Sequence, residues 1–163
     1  MADFGWAALG SIATAVGVLF AAVQLWLSRK QARTQFEDGF VQQYRDLLKR
    51  IPVSALLGEL LKEETQQAHL GDFYHYFDLC NEQVFLRQQN RISEPTWEMW
   101  RDGIRTNMSR PAFAAAWRDV KAKSKCDFAE LRWLESTEYR GNPKNPLQHL
   151  DTDSEVRELR RAA

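Results

Sequence analysis

The stretch WAALGSIATAVGVLFAAVQLWL, Trp6 to Leu27, decides how the rest of the chain is read. It lies within 25 consecutive residues without a formal charge, bounded by Asp3 and Arg29, and Gln24 is its only amide side chain. About 20 predominantly apolar residues cross a hydrocarbon core roughly 30 Å thick. Trp6 and Trp26 are 20 positions apart, which at about 1.5 Å per residue is the same distance, so the two indoles are expected as anchors at the two headgroup boundaries. A secretory signal would need a basic start, and the opening Met-Ala-Asp-Phe-Gly contains no Lys or Arg. Helices buried in soluble domains rarely run past about 14 apolar residues. A single transmembrane helix over residues 1–28 is the expectation. Arg29, Lys30 and Arg33 follow it and only Asp3 precedes it, so the N-terminus is expected outside and the remainder in the cytosol.

The 136 residues from Ser28 to the end suffice for one domain with its own core. A hydrophobic content of 44% and an aromatic content of 12% exclude a disordered chain. Cys80 and Cys126 are too few to staple a secreted domain and read as reduced thiols. Formal charge sums to zero, so no global field selects a nucleic acid or a membrane surface. The charge is nevertheless uneven: residues 29–50 carry six basic and three acidic side chains, residues 58–82 one and six, and residues 87–133 ten and six.

After the span, Phe36, Phe40, Tyr44, Leu47 and Ile51 recur at steps of four and three with no proline between them. That is one amphipathic stripe. It predicts a juxtamembrane stalk over 29–51, continuous with the span, about 65 Å long from residue 6 to 50 and ended by Pro52. A compact bundle is predicted over 52–140. Its first helix covers Val53 to Lys62 with Leu56, Leu57, Leu60 and Leu61 inward, followed by a polar Glu-Glu-Thr-Gln-Gln loop or fraying end. Gly71-Asp72 reads as a stop and an N-cap for a helix from Phe73 to about Gln89. Ser93-Glu94-Pro95 starts a helix over 94–108 with Trp97, Trp100, Ile104 and Met108 inward. Ser109-Arg110-Pro111 repeats the device and opens a helix to about Lys123. Asp127 with Glu130 resembles a capping arrangement for a last helix to about Tyr139. Residues 141–163 read as loop and charged tail. No stretch alternates as a strand does, so the fold class is all-α.

The residues from Phe77 to Arg87 (FDLCNEQVFLR), then Arg91-Ile-Ser, Trp97, Trp100, Gly103-Ile104 and Ser109-Arg-Pro-Ala-Phe113 through Trp117, carry a resemblance. The chain is similar to a widespread family of small, uncharacterised bacterial proteins with one N-terminal transmembrane helix and a cytosolic helical domain. The resemblance extends over nearly the whole length. It implies an anchor plus a helical domain in the bacterial inner membrane, and no catalytic residue.

Three constellations bear on function. Asp72, His75, Asp78 and Glu82 fall at steps of three, three and four and would form one row on a helix. Such a row suits a metal or a proton, but it lacks the matching second half that a di-metal helix pair needs, and a solvated polar face explains it better. Arg101, Arg105, Arg110, Arg118 and Lys121, extended by Lys123 and Lys125, are a candidate anionic-ligand patch beside several tryptophans, suited to a nucleotide or RNA. Glu98, Asp102 and Asp119 are interleaved with them, as on an ordinary solvated face. Ala13, Gly17, Ala21 and Gln24 form a small face in the span that would let two helices pack closely, with Gln24 hydrogen-bonded across the interface. Glycine-rich phosphate loops, paired zinc cysteines and a nucleophile elbow are absent from the sequence. The expectation is a non-enzymatic, cofactor-free protein that sits in the lipid bilayer, self-associates and offers its bundle for interaction or sensing. The alternative is an oligomeric membrane effector or pore gated by an anionic nucleotide or RNA, with a link to defence; a phosphate-processing enzyme comes third.

Overall fold

The computed structural model describes the backbone of residues 3–145, together with the side chains of residue 14 and residues 16–145. Within them the chain is all-helical: α1 (Asp3–Leu48), α2 (Val53–Leu56), α3 (Glu63–Ala68), α4 (Leu70–Gln88), α5 (Glu94–Met108), α6 (Pro111–Lys123) and α7 (Ala129–Ser136). The one β feature among the described residues is an isolated bridge between Asn142 and Asn145. The chain divides into two compact units, Met1–Gly39 and Phe40–Ala163.

In the first unit α1 is helical through the apolar stretch, and Val16, Val18, Leu19, Phe20, Val23, Leu25, Trp26 and Leu27 are all exposed, by 46% to 67%. Lys30 sits over the Trp26 ring at 5.8 Å, and Arg33 pairs with Glu37 at 3.5 Å. Among the described residues no helix is long and apolar enough to cross a membrane. The side chains of Trp6 and Ala13, on which part of the span reading rests, lie outside the described residues.

In the second unit α4 is the central element and packs against α3, α5, α6 and α7. Its inward side chains build an aromatic core in which Phe113 meets Phe73 edge-on at 5.0 Å and Tyr76 at 5.1 Å, while Trp117 meets Phe77 at 5.0 Å. The end of α1 belongs to this core. Phe40 packs on Trp100 at 5.6 Å and Tyr44 on Tyr76 at 6.3 Å, so the bundle itself covers the amphipathic stripe from Phe40 onward.

Helix α5 has the predicted bounds, and Ser93 Oγ accepts from the Thr96 N–H at 3.4 Å with Pro95 in the first turn. Elsewhere the capping differs from the sequence pattern. The helix read over Val53–Lys62 is a single turn, because Gly58 adopts φ +88° and ends it; Leu57 and Leu60 are exposed and Ala55 is the buried residue. The polar stretch read as a loop or fraying end forms a separate helix, α3, whose Gln66 Nε2 donates to the Ala112 carbonyl at 3.0 Å. Gly71 and Asp72 lie inside the first turn of α4, which starts at Leu70. Ser109 closes α5 rather than opening α6; its hydroxyl donates to the Thr106 carbonyl, and Arg110 occupies the N-cap position without a side-chain bond to the α6 backbone.

Asp127 does not cap α7. The N-cap residue is Phe128 in a left-handed conformation, φ +61°, and the helix ends at Ser136 rather than Tyr139. The missing cap comes from another helix: Asn81 Oδ1 on α4 accepts from the Leu131 N–H at 3.0 Å. The unusual backbone at Phe128 places its buried ring edge-on to Tyr74 at 5.2 Å and to Trp117 at 5.6 Å. A left-handed turn costs a non-glycine residue about 1–2 kcal/mol, and burying a phenylalanine returns about 1.5–3 kcal/mol, so the exchange favours the turn.

Candidate functional site

Three helix stripes of the second unit converge on a cavity of about 250 Å³. From α1, Val41, Tyr44 and Arg45 form one side, spaced so that they share a helical face. From α4, Tyr76, Cys80 and Gln83 form the second, again at steps of four and three. From α5, Trp100 and Ile104 form the third, and Gly103 lies between them. A Cβ built on Gly103 meets nothing within 4 Å, so this glycine leaves the space open. Met99 stands at the rim, 60% exposed.

The walls are apolar apart from one fixed polar network. Asn107, 3% exposed, donates through Nδ2 to the Tyr44 hydroxyl at 3.1 Å and to the Tyr76 hydroxyl at 3.0 Å. Its amide cannot rotate away, because Arg110 Nη1 donates to Asn107 Oδ1. Both tyrosine oxygens therefore act as acceptors toward Asn107; Tyr76 is also hydrogen-bonded to the Cys80 side chain, whereas Tyr44 keeps a proton to donate elsewhere. Burial holds Tyr76 well above the usual phenol range and pushes the neighbouring Cys80 thiol up to about 12. Cys80 is thus a neutral thiol at physiological pH, not a nucleophile.

Gln83 is 4% exposed and lines the cavity, and among the described residues no protein group pairs with its side-chain amide. Its amide atoms are not among the fully buried, unpartnered ones, which are Gln66 Oε1, Trp97 Nε1 and Trp117 Nε1, so they face the open space of the cavity. Arg45 is exposed at the same cavity with no acidic partner among the described residues.

The residues singled out from sequence take other places. Lys121 is engaged by Glu135 at 2.6 and 2.9 Å and sits over the Trp117 ring at 5.4 Å. Arg110 holds Asn107; Arg101 and Arg105 share Asp102 at 3.6 and 3.8 Å; Arg118 is exposed. Trp97, Trp100 and Trp117 are buried and offer no stacking surface beside these cations. Asp72 pairs with His69 at 3.1 Å, while His75, Asp78 and Glu82 line a separate open cleft with Asp46 and Arg50. Among the described residues no group of three or more His, Cys, Asp or Glu is placed to hold a metal ion. Gly17, Ala21, Gln24 and Trp26 are exposed on α1.

The cavity has a faint sequence signature. Gln83 and Asn107 are amides at inward positions of otherwise apolar stripes, and Gly103 interrupts the face of Trp100 and Ile104. Each taken singly reads as an ordinary surface residue. No family model, curated protein or solved structure matches the chain.

Proposed function

We propose that this chain is a non-enzymatic bacterial inner-membrane protein, held by one N-terminal helix with its N-terminus outside, which self-associates and presents a cytosolic helical bundle for sensing. One observation carries the anchor: the exposed apolar side chains of α1 between Val16 and Leu27 cover roughly 220° of the helix circumference, and Gly17, Ala21 and Gln24 fill the remaining arc. An apolar arc this wide exceeds the roughly 100° stripe of an ordinary surface helix and is covered by protein core or by lipid. The seven aliphatic and phenylalanine side chains among them would gain about 1.5–3 kcal/mol each on leaving water, on the order of 10–20 kcal/mol together. That is as large as the whole stability of a small domain. A single partner helix covers one narrow seam of such an arc, whereas lipid covers its whole width. The basic residues at 29, 30 and 33 favour the orientation.

The sensing role is supported by the cavity with its free Gln83 amide. The same observation favours, as a second reading, a gated membrane effector, because α1 supplies one cavity wall and is also the helix that carries the apolar segment. Cys126 is exposed and Cys80 buried, which gives a direct test of sidedness. A membrane-impermeant maleimide should leave Cys126 unlabelled in intact spheroplasts and label it after permeabilisation. Labelling of intact spheroplasts would reverse the orientation.

A further inference from the structure

We propose that the α1–α4–α5 cavity is a binding site for a compact aryl-alkyl carboxylate of about ten non-hydrogen atoms. This rests on the sensing reading above and names its ligand. Size comes first. A dry apolar cavity of about 150 Å³ holds benzene, so by proportion 250 Å³ holds one substituted ring. A nucleotide is too large for it and would meet apolar walls where its phosphates need donors.

Chemistry comes second. The aromatic and aliphatic walls of Trp100, Ile104 and Val41 suit a ring. Each polar group that remains can donate. Gln83 has an amide with no partner, Tyr44 keeps a phenolic proton after accepting from Asn107, and Arg45 brings the positive charge. Arg110 and Asn107 act as positioning residues, since they fix which way the Tyr44 hydroxyl faces. Three donors with one cation match a carboxylate, whose two oxygens accept and carry a charge. The neutral Cys80 thiol makes the site a reversible one without covalent chemistry.

The test uses the full chain in detergent-free lipid discs, titrated with 3-phenylpropionate and with its neutral counterpart 3-phenylpropanol by calorimetry. Saturable one-to-one binding of the acid is expected, with the alcohol at least about ten-fold weaker, as one lost charge-assisted hydrogen bond implies. Gln83→Leu should weaken the acid by about ten-fold with little effect on the alcohol. Gly103→Leu fills the open space and improves helix propensity, so it should remove binding of both compounds while circular dichroism stays unchanged. Absence of saturable binding at millimolar acid, equal affinity for acid and alcohol, or binding unaffected by Gly103→Leu would each overturn the proposal. Membrane residence of the same preparation is scored separately, so a chain that is anchored but does not bind sinks only this inference. A chain that binds but is not anchored sinks only the anchor.

Discussion

Arg87 shows how much one side chain carries. It is 2% exposed, donates through Nη1 to the Ile92 carbonyl at 2.9 Å and through Nε to Asn142 Oδ1 at 3.2 Å, and its Nη2 pairs with Glu94. Asn142 closes the ring by donating to Glu94 Oε1 at 2.9 Å. One guanidinium therefore ties the end of α4, the start of α5 and the turn after α7 together. Glu94 is half exposed, so water screens part of the pair, and Arg87→Met should lower the unfolding free energy by about 2–3 kcal/mol in urea titrations. The exposed Arg118→Met should change it by less than about 0.5 kcal/mol. The sequence does not separate these two arginines, because the contacts that bury Arg87 form only when the chain turns back at Ile92 and Glu94 and brings Asn142, 55 residues on, against it.

Cys80 and Tyr76 give a pH signature at the same scale. Burial raises both groups above their ordinary values, so the folded state favours the protonated forms. The stability this represents is complete below pH 9 and is lost as pH rises from 9.0 toward about 12, the interval between the unfolded and folded values of Cys80. Urea midpoints should hold steady from pH 7 to 8.5 and fall steadily above pH 9. A midpoint that rises in that interval would contradict the burial of these groups.

At the scale of elements, α5 was readable because its signals are local. Ser93, Glu94, Pro95 and a stripe of tryptophan and isoleucine all lie within it. The all-α class was readable for the same reason. The start of α7 was not, since its cap is Asn81, 50 residues earlier, and its N-cap residue is a phenylalanine in a backbone region that the residue type disfavours. The leucines after Pro52 have helical spacing without forming a longer helix, because Gly58 ends α2. The cavity leaves only the faint trace of Gln83, Gly103 and Asn107 in the sequence, since it exists only where three separate helices meet. Loss of a cap costs about 1 kcal/mol. Asn81→Ala should therefore cost about that much and speed amide exchange in α7 selectively, whereas Ser93→Ala should do so in α5. Equal exchange in both helices after Asn81→Ala would remove the cross-helix cap. Gly141→Ala should be worse than either, because a Cβ there would lie 2.7 Å from both Thr137 Oγ1 and the Trp133 ring.

For the whole molecule, assembly and membrane residence remain as proposals with separate tests. If copies pack through Gly17 and Ala21, Gly17→Ile should sharply reduce cross-linked oligomer by forcing the helices apart. Gln24→Leu should reduce it only modestly, because one interhelical polar contact in lipid contributes about 0.6–2 kcal/mol. Oligomer insensitive to Gly17→Ile would move the contact away from this face. The central claim is the anchor, and extraction of isolated membranes with alkaline carbonate tests it most directly. The account predicts full-length chain in the pellet after washing, with a variant carrying Leu19→Lys and Val23→Lys shifted to the supernatant. Wild-type chain in the supernatant, or a species shortened at the N-terminus, would contradict it.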